Sequence, residues 1–132
     1  MIWLAKNITY EEMIFSQTAA RHGIDNTPND AVNDNLARTA LALQVIRSYF
    51  RRPVVVSSGF RCDELNVKIG GSKNSHHRLG LAVDFTIPDV PIEDVIKKIP
   101  HLIHFDQLIN EYGRWIHLSV HPRLGKQVFD VK

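Results

Sequence analysis

With a single cysteine, Cys62, the 132-residue chain cannot form an internal disulfide, and thiolate-rich structural zinc sites are excluded. Charge of one sign is equally scarce. Sixteen Lys and Arg face fourteen Asp and Glu, leaving a formal charge of only +2. That excess is too small to coat a polyanion, and Arg51-Arg52 is a pair rather than a patch, so no nucleic-acid partner is expected. No apolar run approaches the ~20 residues that span a bilayer, so no membrane partner is expected either. The opening MIWLAKNITYEE lacks a basic flank and a long apolar core, and no signal peptide is expected. Repeats and low-complexity segments are missing too.

What remains is ordinary globular material. Hydrophobic residues make up 44% and charged residues 23%, which argues against wholesale disorder. The length predicts one domain over residues 1–132, mainly helical over 1–52 and carrying a sheet over 53–132. Thr9 and Glu12 have capping-box spacing, and the apolar face that follows predicts a helix ending near residue 22, before Gly23. Leu36, Ala40, Leu43, Ile46, Tyr49 and Phe50 keep a helical period, so the longest helix is expected over about 29–51, ended before Pro53. Val54-Val55-Val56 predicts a buried strand over 53–58. A short helix is expected over 61–69, a strand over 81–87, and a small helix from Pro91 to about Lys98. Runs 106–111 and 114–120 read as strands joined by a turn at 112–114, with a last short strand at 127–131.

Seven histidines are many for so small a chain, and they mark the informative stretches. In Ser75-His76-His77-Arg78-Leu79-Gly80-Leu81-Ala82-Val83-Asp84, a histidine precedes a glycine bend and a strand bearing one acid. A carboxylate on such an apolar strand is costly unless a cation or donors meet it. In Trp115-Ile116-His117-Leu118-Ser119, alternation puts Trp115, His117 and Ser119 on one face. Two imidazoles and one carboxylate form the usual ligand set of a catalytic zinc with an open fourth position. The same residues also suit a loop histidine, an acid paired with arginine and a satisfied core histidine, and the residue types alone leave both readings open.

Ser75-x-His77-x-x-Gly80-x-Ala82-x-Asp84, followed by Trp115-x-His117-x-Ser119, resembles the zinc-dependent D-Ala-D-Ala carboxypeptidases and phage endolysins of the M15 peptidase class. Ser57-Ser58-Gly59-Phe60-Arg61, then Asn66 and Gly70-Gly71, resembles that family's upstream run. Asp106-Gln107-Leu108-Ile109 with Glu111 resembles the segment before its final histidine. The resemblance spans about residues 53–120, with three motifs in order. It implies an α+β fold of the Hedgehog/DD-peptidase type, with N-terminal helices packed on a small central antiparallel sheet. It also implies one Zn²⁺ held by His77, Asp84 and His117. His76 lacks the family spacing and is expected to be an exposed neighbour or a donor outside the ligand set.

The implied activity is hydrolysis of peptidoglycan stem peptides, by a D,D-carboxypeptidase or an endopeptidase lysin. Arg61 is then expected to grip a substrate carboxylate, and Ser75 to donate to substrate or orient its loop. Many relatives carry an acid three residues before the last histidine, where this chain has Arg114. The nearest acid is Glu111. A three-residue turn between 107–111 and 115–119 would oppose Glu111 to Trp115 and Ile109 to His117. Glu111 would then be a diagonal neighbour of His117, roughly 5–8 Å away in backbone terms, and is the expected general base. Gln107 and Ser119 would face each other as supporting residues. The expected partner is a stem peptide or D-Ala-D-Ala-type peptide, and the protein is expected to be monomeric. Synthesis in a host cytoplasm, followed by release to the wall or incorporation into a virion, fits the missing signal. The alternative is a catalytically inactive zinc-binding or virion-associated module of the same fold, which Arg114 favours.

Overall fold

The computed structural model describes residues 1–132 and shows an α+β architecture. Five strands form the main sheet: β3 (Val55–Ser58), β4 (Ala82–Thr86), β5 (Gln107–Glu111), β6 (Trp115–Ser119) and β7 (Gln127–Val131). Their spatial order is β3-β4-β6-β5-β7. All pairings are antiparallel except β5 with β7, so the sheet is antiparallel up to its last strand and mixed overall. Strand β7 returns from β6 through the 120–126 loop to lie along the outer edge of β5, a route that forces the parallel sense.

Helix α3 (Asp30–Phe50) covers one face of this sheet. Asn29 starts it by accepting the Val32 N–H at 2.9 Å. Its buried stripe, Leu36, Ala40, Leu43 and Ile46, follows the 3.6-residue period and joins Val83, Phe85, Leu108, Ile116 and Leu118 in one core. Each such side chain contributes about 1.5–3 kcal/mol by leaving water. The alternate residues of the strands, Asp84, Trp115, His117 and Ser119 among them, therefore occupy the opposite face, where the cleft lies.

Three expectations need correction. Residues 3–9 form a small two-stranded sheet, β1 (Trp3–Ala5) and β2 (Ile8–Thr9), ahead of the helices. The capping box at Thr9 and Glu12 is present, but its helix stops at once: α1 covers Tyr10–Ile14 and α2 covers Gln17–His22. The break is tertiary in origin. The Met13 carbonyl accepts the Phe60 N–H and the Ile14 carbonyl accepts the Asn26 side chain, while Ser16 caps α2. Strand β3 is also not buried. It lies at the edge of the sheet, and Val55 is 48% exposed. The remaining helices, α4 (Asp63–Lys68) and α5 (Ile92–Lys98), lie within or close to the expected spans.

Candidate metal centre and cleft

Asp84 and His117 stand directly opposite each other on β4 and β6, so their side chains share the cleft face. His77 arrives from the 3₁₀ turn His76–Leu79, whose start is capped by Ser75 accepting the His77 N–H. The turn closes at Gly80 with φ 75° and passes straight into β4. A Cβ at Gly80 would also crowd Val32 and Leu36 of α3, so glycine is favoured on both counts. Thr39 Oγ1 donates to the Gly80 carbonyl at 2.7 Å, tying the turn to the long helix.

These elements bring His77, Asp84 and His117 together, with one ligand atom from each lying within 4.8 Å of the others. Asp84 Oδ1 is 3.2 Å from His77 Nε2 and 3.0 Å from His117 Nδ1. Donors bound at about 2.0–2.1 Å around a tetrahedral zinc stand roughly 3.3 Å apart, close to these separations. The outer nitrogens are held as well: His77 Nδ1 is 2.7 Å from the Gly59 carbonyl oxygen, and His117 Nε2 is 3.1 Å from Gln107 Oε1. A carbonyl can only accept, so His77 Nδ1 carries the proton, and a neutral ring turns the Nε2 lone pair toward the carboxylate. Two acceptors 3.2 Å apart, one of them on a buried imidazole, suit a cation between them. The donor set and the hydrogen bonds behind it therefore fit a metal ion.

The triad opens into a cleft of about 740 Å³, lined also by Arg61, Ser75, His76, Gln107, Glu111 and Trp115. Arg61 follows β3, and its main-chain N–H donates to the His77 carbonyl. Its Nε is buried without a partner, and burial pulls the guanidinium below its ordinary value despite nearby Asp84. Asp63, an available counter-ion by sequence, is taken by Arg78 at 2.8 Å. The β5–β6 hairpin has the expected register, Glu111 opposite Trp115 and Ile109 opposite His117. Glu111 is half-buried, lines the cleft and joins none of the chain's ion pairs. Arg114 is exposed and lies outside the cleft lining.

The sequence offers His76 as a candidate donor and Ser119 as a supporting residue, but not the wall they build opposite. His76 is not an exposed neighbour: its side chain is 10% exposed, and its Nδ1 lies 2.6 Å from Ser119 Oγ. Its ring stacks on His121 at 4.7 Å between centroids. Behind it, fully buried Asp106 accepts Arg123 through two nitrogens, at 3.1 and 2.6 Å, and the Gly125 N–H at 2.7 Å. The Arg123 bonds outweigh burial and hold Asp106 down to about 2. Burial, with His121 adding to it, pushes the His76 imidazole below its ordinary value. Nothing in the spacing of 76, 106, 119 and 123 announces this cluster.

The cleft thus carries, on a small mixed sheet, a His-Asp-His cluster that could hold a metal ion. The family model for peptidase M15 matches residues 6–119, and the chain belongs to that peptidase family. A comparison with curated proteins finds no match. No helix is long and apolar enough to cross a membrane.

Proposed function

We propose that this peptidase is zinc-dependent and cleaves peptidoglycan stem peptides, as a D-Ala-D-Ala-type carboxypeptidase or an endopeptidase lysin. The observation that carries the proposal is the convergence of two imidazole nitrogens on one carboxylate oxygen, in a cleft that also holds an arginine with a buried, unpartnered Nε and a glutamate outside the chain's ion pairs. His77, Asp84 and His117 would hold a zinc ion, which supplies Lewis acidity for the scissile carbonyl and for water at the site.

Glu111 takes the proton of the attacking water and returns it to the leaving amine as the C–N bond breaks. The products are a carboxylate and an amine, with no other reactant. Arg61, desolvated and with its Nε unpartnered, binds a substrate carboxylate, for which its planar fork is suited. Ser75 fixes the turn that carries His77 and keeps its hydroxyl proton for substrate. Gln107 holds the His117 ring from behind.

Digestion of purified peptidoglycan, with mass-spectrometric assignment of the products, tests this reading. Release of terminal D-alanine identifies the carboxypeptidase, and internal scission of the stem or cross-bridge identifies the lysin. Arg114, standing where many relatives have an acid, favours a second reading as an inactive zinc-binding module. A zinc-loaded protein that cuts no wall peptide would establish that one.

A further inference from the structure

Ser119 is fully buried, so its hydroxyl proton must find an acceptor within the protein. Its oxygen accepts the His121 main-chain N–H at 3.3 Å, and the acceptor in reach of its proton is His76 Nδ1 at 2.6 Å. Asp106 does not compete for that nitrogen. It stands 3.8 Å away, and its oxygens are already engaged by Arg123 and Gly125. Nδ1 of His76 is therefore an acceptor, and in the neutral ring the proton sits on Nε2. Nε2 has no partner in the chain, and the residue lines the cleft that holds the triad. The stacked His121 ring fixes the plane, and His121 is itself held by the Arg123 N–H on its Nδ1 at 3.0 Å.

From this we infer that His76 is a substrate-binding residue, an Nε2–H donor presented to a carbonyl oxygen of the peptide in the cleft. Ser119 is its positioning residue, setting the tautomer. The inference rests on the peptidase reading for its substrate, but the hydrogen-bond arrangement stands without it. A donor held rigid in advance, in a site shielded from water, is worth more to a polarised carbonyl than the same donor in solution. Asp106 and Arg123 complete the device by locking the 120–126 loop against this wall.

Three measurements test the assignment. Long-range proton–nitrogen correlation spectra of the metal-free protein report the His76 tautomer directly. The expected state is protonated on Nε2, with that resonance moving when a product peptide is added. Ser119→Ala should remove the tautomer bias without altering zinc content. In kinetics, His76→Ala should lose roughly tenfold to hundredfold in kcat/KM at full zinc occupancy, and His76→Gln, which keeps a donor near Nε2, should recover most of it. An Nδ1-protonated ring in the wild type overturns the inference, as does a wild-type-like kcat/KM in His76→Ala. If His76→Ala does not fold, the wild-type tautomer and its response to peptide still decide. A wild type that cleaves no peptide instead counts against the proposed function, while the tautomer spectrum still decides the protonation of His76 by itself.

Discussion

Gly80→Ala places one methyl group where helix, turn and metal site meet. The residue holds φ 75°, in the left-handed region, which costs a non-glycine residue about 1–2 kcal/mol. The added Cβ would lie 2.9 Å from Val32 Cγ1, 3.0 Å from the Val32 carbonyl oxygen and 3.2 Å from Leu36 Cγ. The Val32 side chain can yield, but its carbonyl belongs to α3 and can move only with the helix. Overpacking of this kind costs a further ~1–3 kcal/mol. The sum, about 2–5 kcal/mol, is a large part of the 5–15 kcal/mol that holds a typical domain together. Urea unfolding of the metal-free protein measures it as a fall in the midpoint at unchanged slope. Because His77 and Asp84 flank the turn, zinc affinity of the folded variant should fall as well. A variant within ~0.5 kcal/mol of wild type, a shift typical of innocuous surface changes, would refute the claim that α3 clasps this turn.

Glu111→Gln should preserve fold and zinc while lowering turnover about 10²–10⁴-fold, since the amide cannot accept the water proton; near wild-type turnover would move the base elsewhere. Arg61→Ala should keep zinc but lose about 2–5 kcal/mol of transition-state stabilisation on substrates with a free carboxylate, read as kcat/KM, and unchanged kinetics would make Arg61 structural. Asp106 has its folded pKa depressed to about 2. Its contribution to stability is therefore present above the unfolded value near 3.9 and lost as pH falls toward 2. Asp106→Asn should flatten that acid limb in pH-dependent unfolding, and an unaltered limb would remove Asp106 from the account.

The residue types alone left the triad open, and the family resemblance assigned it; what local geometry made legible was which face each side chain occupies. Asp84 and His117 sit on strands whose alternation fixes the exposed face, and a three-residue gap sets the β5–β6 register that brings Glu111 to the cleft. Other features depend on partners far along the chain. The α1–α2 break is made by Phe60 and Asn26, 12 to 47 residues from the carbonyls they satisfy, and helical periodicity through 9–22 cannot register them. Strand β3 reads as a buried valine run, yet its place at the sheet edge is decided by the order of all five strands. The burial of His76 and Asp106 depends on the 120–126 loop folding back over them, where Arg123 and Gly125 supply the hydrogen bonds.

Zinc content and peptide hydrolysis, measured side by side on wild type and on His77→Ala, Asp84→Ala and His117→Ala, test the central claim most directly. The account predicts one zinc per wild-type chain, reduced occupancy in each variant, and activity that a chelator removes and added zinc restores. Full activity in chelator from a metal-free protein, or undiminished zinc in all three variants, would contradict it.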